Sequence, residues 1–126
     1  MPDLNPAIPQ GSLGPEAVRK MMSAPLVAIA ASGAIDPSLA NRYIFTKATV
    51  AAMTLAAPRV GIDDGLQIQI LSSNNQQHTI TATGLFYDGA AHVNVATWPA
   101  NNGGELDLIA YQGKWIVQNL QSVVMS

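Results

Sequence analysis

The feature that most constrains this chain is the alternation of apolar and polar residues between Leu66 and Trp115. The runs LQIQIL (66–71), HTITATGLFYDG (78–89), HVNVATW (92–98) and ELDLIAYQGKWIV (105–117) repeat with a period of two. That is the period of a strand with one face buried. It places Leu66, Ile68 and Ile70 on one face, with Gln67 and Gln69 on the other. His78, Ile80 and Ala82 likewise oppose Thr79, Thr81 and Thr83. Turn residues separate the runs: Ser72 to Gln77, Asp88-Gly89, Pro99 to Gly104, and Gln112-Gly113. The last pair reads as a two-residue hairpin between LDLIAY and KWIVQNL.

Upstream, Arg42 to Pro58 divides into two further strands. Tyr43, Ile44 and Phe45 give the first its β-rich character, and Val50, Met53 and Leu55 belong to the second. Helix competes over 47–57 because Ala and Met favour it, but Thr46, Thr49, Val50 and Thr54 are β-branched and tip the reading to strand. Asp36-Pro37-Ser38 and Asp64-Gly65 are turn signals. With the closing SVVMS, about eight short strands result, at the spacing of a small antiparallel sandwich or barrel. The expected fold is therefore all-β, with a β domain over 36–126.

Residues 1–35 are assigned to an N-terminal arm or anchor. Residues 1–15 hold four prolines and two glycines, which disfavour both helix and central strand. Leu4, Ile8 and Leu13 are spaced as if to dock on something, with a frayed terminus as the alternative reading. Glu16 to Ser23 can form one short helix after Pro15. Residues 24–35 are small and apolar and fit either a buried strand or more of the arm. Arg19-Lys20 followed by residues 21–34 superficially resembles a signal peptide, but a Pro/Gly-rich stretch precedes the basic pair and Pro25 interrupts the apolar run, so no targeting segment is expected. The run is too short and broken to cross a membrane as a helix.

Composition bears on function. Of the 126 residues only 11% are charged, against roughly a quarter in ordinary soluble domains, and the net charge is −2. Little charge keeps copies apart, which makes an oligomer the expectation. The six basic residues are scattered, so no stripe for a nucleic-acid backbone forms. Without cysteine there is no disulfide framework and no thiolate chemistry.

Reactive constellations are sparse. Asp63, Asp64, Asp88, Glu105 and Asp107 lack the spacing of a calcium loop, and turn residues bonding their own backbone are the simpler reading. His78 and His92 have no second ligand at metal spacing, although one histidine per subunit could meet at an oligomer axis. No nucleophile elbow and no phosphate-cradling glycine motif occurs. No catalytic, cofactor or metal residue is assigned. Trp98 and Tyr87 are the candidate oligomer-interface or glycan-facing aromatics, Trp98 and Trp115 being most simply core or interface anchors.

The segments TLAAPRVGIDDGLQIQILSSNNQQHTITATGLFYDG (54–89), VNVATW (93–98) and LDLIAYQGKWIV (106–117) together resemble a domain of tailed-bacteriophage virion proteins, the small head-decoration and fibre-type proteins. The likeness spans residues 43–117 and rests on Leu55 to Pro58, Asp63 to Gly65, His78 to Leu85, Val95 to Thr97 and Ala110 to Trp115. It implies a non-enzymatic, β-rich homotrimer on the exterior of the phage head or on an appendage. Its partners would be itself and the major capsid protein or another virion protein, with no nucleic acid and no membrane. On this reading Leu4, Ile8, Leu13, Leu26 and Ile29 make the capsid or partner contact. The alternative is a fibre-tip or adhesin-like module that binds a host receptor or glycan.

Overall fold

A computed structural model describes residues 26–100 and 103–126. All regular structure in them is β. The strands are β1 (Leu26–Ile29), β2 (Gly33–Ile35), β3 (Arg42–Phe45), β4 (Ala52–Leu55), β5 (Gln67–Ser72), β6 (Thr79–Tyr87), β7 (His92–Thr97), β8 (Glu105–Tyr111), β9 (Lys114–Gln121) and β10 (Val124–Met125). They form one curled sheet of order β1-β3-β5-β8-β9-β6-β4-β2, with β7 and β10 branching from β6. The result is a half-barrel.

The first six strands are laid down as three arches. In each, an odd-numbered strand bends over into an even-numbered one that it does not pair with. Odd strands instead stack on odd strands and even on even, all in parallel: β1 on β3 on β5, and β2 on β4 on β6. The antiparallel β8–β9 hairpin then bridges β5 and β6 and closes the base. All-β architecture is as expected. The pairing is mixed rather than purely antiparallel, because short connections here carry the chain across the half-barrel instead of folding each strand onto its neighbour. Ten strands replace about eight, since residues 26–35 supply two more, while the closing SVVMS run is β10.

The boundary of the expected arm moves accordingly. Residues 26–35 are the first arch of the sheet, with Ile29 and Ile35 buried in the core. Their small apolar side chains fit a layer where strands pack on one another. The short helix expected over 16–23 lies outside the described residues.

One face of the alternation fills the concave side. Tyr43, Phe45, Met53, Leu55, Ile68, Ile70, Ile80, Phe86, Leu106, Leu108 and Trp115 form a single apolar core. Two bulges shape the sheet. One in β6, at Gly84 with φ +69°, is held by Gly84 N donating to Asn94 Oδ1 at 2.7 Å. It lets β6 leave β4 and run beside β9. The other, at Gln118 in β9, sits where the register with β8 shifts between Asp107 and Leu108.

Candidate functional site

The connections between successive arches gather at one end. They are residues 36–41, residues 56–66 and the β8–β9 tip. Each is built by side chains that bond the local backbone. Asp36 Oδ1 accepts from Ser38 N at 3.0 Å and from Ser38 Oγ at 2.6 Å. Asp63 accepts from Arg59 N, Nε and Nη2 at 2.8, 3.2 and 2.9 Å, a two-pronged guanidinium pair. Asp64 Oδ1 accepts from Gln112 N at 2.9 Å and so pins the hairpin tip onto this loop. The Ser38 hydrogen bonds hold the Asp36 carboxyl below its ordinary range, and the Arg59 hydrogen bonds do the same for Asp63. All three carboxylates build turns, and Asp36 and Asp63 stay ionised.

Trp115 lies beneath, donating from Nε1 to Ala56 O at 2.9 Å. A groove of about 640 Å3 runs between the connections, lined by Asp36, Leu39, Pro58, Arg59, Asp63 and Trp115. Four large apolar side chains stand in solvent on these connections: Leu39, Val60, Ile62 and Tyr111, each 59–70% exposed. Exposed apolar side chains are thereby placed at this end of the half-barrel. The alternation could not reveal Leu39, Val60 and Ile62, because they sit in connections that the period of two does not reach, whereas Tyr111 ends β8 on its outward face.

The opposite end holds an aromatic cluster. The His78 ring stacks on Phe45 at 4.3 Å, and Trp98 meets Phe45 edge-on at 5.0 Å. All three are fully buried. His78 Nδ1 accepts from Ala51 N at 3.0 Å, and Nε2 lies 2.8 Å from Asn74 Oδ1. An amide donor on Nδ1 leaves the proton on Nε2, so the ring is neutral. Burial first, and the Lys47 charge second, pull its pKa below the ordinary value. Both ring nitrogens are committed to holding the 46–51 and 73–78 bends together.

Trp98 Nε1 donates to Gly104 O at 3.2 Å. Gly104 has φ +127°, and a Cβ there would lie 2.8 Å from Trp98 Cδ1 and 3.1 Å from Pro99 Cδ. Gly104→Ala is therefore expected to lower stability by about 2 kcal/mol, from backbone strain and overpacking together. Urea unfolding of the two proteins reads this directly. A loss under about 0.5 kcal/mol, the range of ordinary surface changes, would show that the loop yields.

The convex face carries a polar ladder. Arg42, Gln69, Asp107 and Asn119 lie side by side on β3, β5, β8 and β9. Arg42 Nε donates to Gln69 Oε1 at 3.1 Å, and Gln69 Nε2 donates to Glu105 Oε2 at 2.6 Å. Desolvation and the neighbouring Glu105 carboxylate raise the Asp107 pKa. A raised carboxyl pKa adds stability fully below the unfolded value of about 3.9, and that contribution is lost as pH rises through the folded value. At pH 7 the ionised Asp107 thus opposes folding. Asp107→Asn should raise stability at pH 7 by roughly 0.5 kcal/mol and less at pH 4, as measured by denaturant midpoints. An unchanged or lower midpoint at pH 7 would contradict this.

The residues singled out in the sequence fall in different places. Leu26 is half exposed on the edge strand β1, whereas Ile29 is 5% exposed and belongs to the core. Ile29 points inward because alternate residues of β1 face the core, which leaves Ala28 outside, so Ile29 has no surface to offer a partner. Trp98 is 0% exposed, which removes it from any glycan-facing or subunit-facing role. The loop at Gly104 folds back over its ring. Tyr87 is half-buried at the end of β6, its ring 5.2 Å from that of His92 and its hydroxyl donating to Gly89 O at 3.3 Å. Leu4, Ile8 and Leu13 lie outside the described residues. Among the described residues no three histidine, aspartate or glutamate side chains converge as metal ligands would. Compared with known protein families and with curated proteins, the chain matches none.

Proposed function

We propose that this protein is a non-enzymatic structural protein of a tailed-phage virion, a capsid decoration protein that assembles as a homotrimer and binds the assembled head shell from outside. The observation that carries this reading is the end where Leu39, Val60, Ile62 and Tyr111 stand in solvent on tightly bonded connections. A rigid apolar end on a chain with only 11% charged residues suits a protein that works by contact. The resemblance of residues 43–117 to phage virion proteins supports the same class. The titratable groups best placed for chemistry are already committed to turns and bends.

The mechanism is mechanical. A protein that binds the assembled shell and not its loose subunits stabilises the shell by mass action. Many trimers, each gripping several capsomers, add avidity without tight single contacts. Attachment uses the apolar end together with Leu4, Ile8 and Leu13 of the N-terminal segment.

Light scattering of the full-length chain should give a mass three times 13.2 kDa. The protein should also sediment with emptied heads of the phage that encodes it. A Leu39→Asp, Ile62→Asp variant should keep its fold and stay in the supernatant. A monomer at micromolar concentration that also fails to sediment with heads would overturn the proposal.

A further inference from the structure

The sequence holds two Asp-Gly pairs, Asp64-Gly65 and Asp88-Gly89, and both aspartates are exposed. Such a pair is chemically weak, because glycine has no Cβ to shield its amide nitrogen from the preceding carboxyl. The fold treats the two pairs differently. Gly65 N donates to Ala110 O at 2.8 Å, and the Asp64 carboxyl reaches across to Gln112 N. The nitrogen that would react is thus held by a neighbouring strand, and the carboxyl is turned toward the hairpin tip. At the β6–β7 turn the Asp88 carboxyl bends over its own backbone instead. Its Oδ1 accepts from Ala90 N and from Ala91 N, both at 3.1 Å. To reach them it passes over the Gly89 amide, which makes no backbone hydrogen bond among the described residues. Gly89 has φ +98° and open space where a Cβ would be.

We propose that Asp88-Gly89 is a self-modification site, at which the chain converts Asp88 to isoaspartate through a succinimide. Gly89 N attacks Asp88 Cγ and a new N–Cγ bond forms. Oδ2 leaves as water, taking the carboxyl proton and the amide proton, and a five-membered imide remains. Water then adds to the imide at the main-chain carbonyl of Asp88, and the original peptide bond to Gly89 breaks. Gly89 is left joined through Cγ, so the backbone gains a methylene and the mass is unchanged. Hydrolysis at Cγ instead restores aspartate.

The turn supplies what the first step needs. As Gly89 N adds, negative charge develops on Oδ1. The Ala90 and Ala91 N–H groups already point at that oxygen, at a distance from which paired donors stabilise a tetrahedral oxyanion. At Asp64 the only backbone donor to Oδ1 among the described residues is Gln112 N. The product lengthens the backbone beside the Tyr87–His92 pair and takes the carboxylate away from Ala90 and Ala91, which loosens this end of β6 and β7. The reaction needs no partner, so this inference stands apart from the virion reading.

The experiment incubates the full-length protein in warm, mildly acidic buffer, native and in urea, and counts isoaspartate at each site by electron-transfer fragmentation of its peptides. Mild acid supplies the protonated carboxyl, which the Ala90 and Ala91 hydrogen bonds otherwise keep ionised. In urea the two sites should react at similar rates. In the native protein Asp88 should isomerise about tenfold faster than Asp64, where the Gly65 hydrogen bond must open first. Its native rate should also equal or exceed its rate in urea. A native Asp64 rate that matches or outruns that of Asp88 would overturn the proposal. So would a native Asp88 rate well below the urea rate, because the turn would then protect the site.

Discussion

Replacing Trp98 with alanine is expected to remove about 3–5 kcal/mol of folding stability. The indole is fully buried, packs edge-on against Phe45, and bonds Gly104 through Nε1. Truncation opens a large cavity where Gly104 lies against the ring. For a domain whose whole stability is of order 5–15 kcal/mol, that is at least about a fifth of the total. Trp98→Phe separates the contributions. It keeps most of the packing and gives up the hydrogen bond, and Gly104 O still accepts from Ser72 N at 3.2 Å. Its cost should therefore be near 1 kcal/mol beyond the lost area. Denaturant midpoints of the three proteins decide the matter. Wild-type stability in Trp98→Ala would mean that the ring is a surface group after all.

Substitution at His78 should be nearly as costly and should also change the pH profile. His78→Ala loses the stack on Phe45 and leaves the Ala51 amide without an acceptor, for a total of about 3 kcal/mol. The folded pKa lies below the ordinary value of about 6.5, so below that value the unfolded chain binds more protons than the folded one. The stabilising contribution is fully present above pH 6.5 and is lost as pH falls toward and through the folded value. Wild type should weaken between pH 7 and pH 5. His78→Gln, which takes up no proton, should lack that decline. Asp107 contributes with opposite sign, so the comparison is best made in an Asp107→Asn background. Parallel pH profiles with and without the His78→Gln substitution would show that another group controls the acid limb.

The buried histidine and tryptophan explain why a chain so poor in charge can hold sharp bends. Each bend at this end must satisfy its backbone amides out of water. His78 and Asn74 do so for 46–51 and 73–78: His78 accepts from Ala51 N, and Asn74 Nδ2 donates to Lys47 O at 2.8 Å. The arch-forming bends are thus specified by a few polar side chains placed inside an apolar layer.

The amino-acid sequence by itself determined the strands from Arg42 onward, their faces and most of the turns. His78, Ile80 and Ala82 share a buried face because alternate side chains of a strand must point the same way. Gln112-Gly113 makes the two-residue hairpin turn, with φ of +51° and +78°, because both positions need a left-handed backbone. Those constraints are local, and a local pattern displays them. Which strand pairs with which was settled only in the tertiary structure. Alternation looks the same whether a short connection folds a strand onto its neighbour or carries it across a half-barrel. The choice rests on how ladders of side chains sixteen and more residues apart pack together, Ile29 on Phe45 and Met53 on Ile80. The fate of Trp98 was decided the same way. A large aromatic at a strand end can face solvent, a partner or the core, and only the loop closing at Gly104 put it inside.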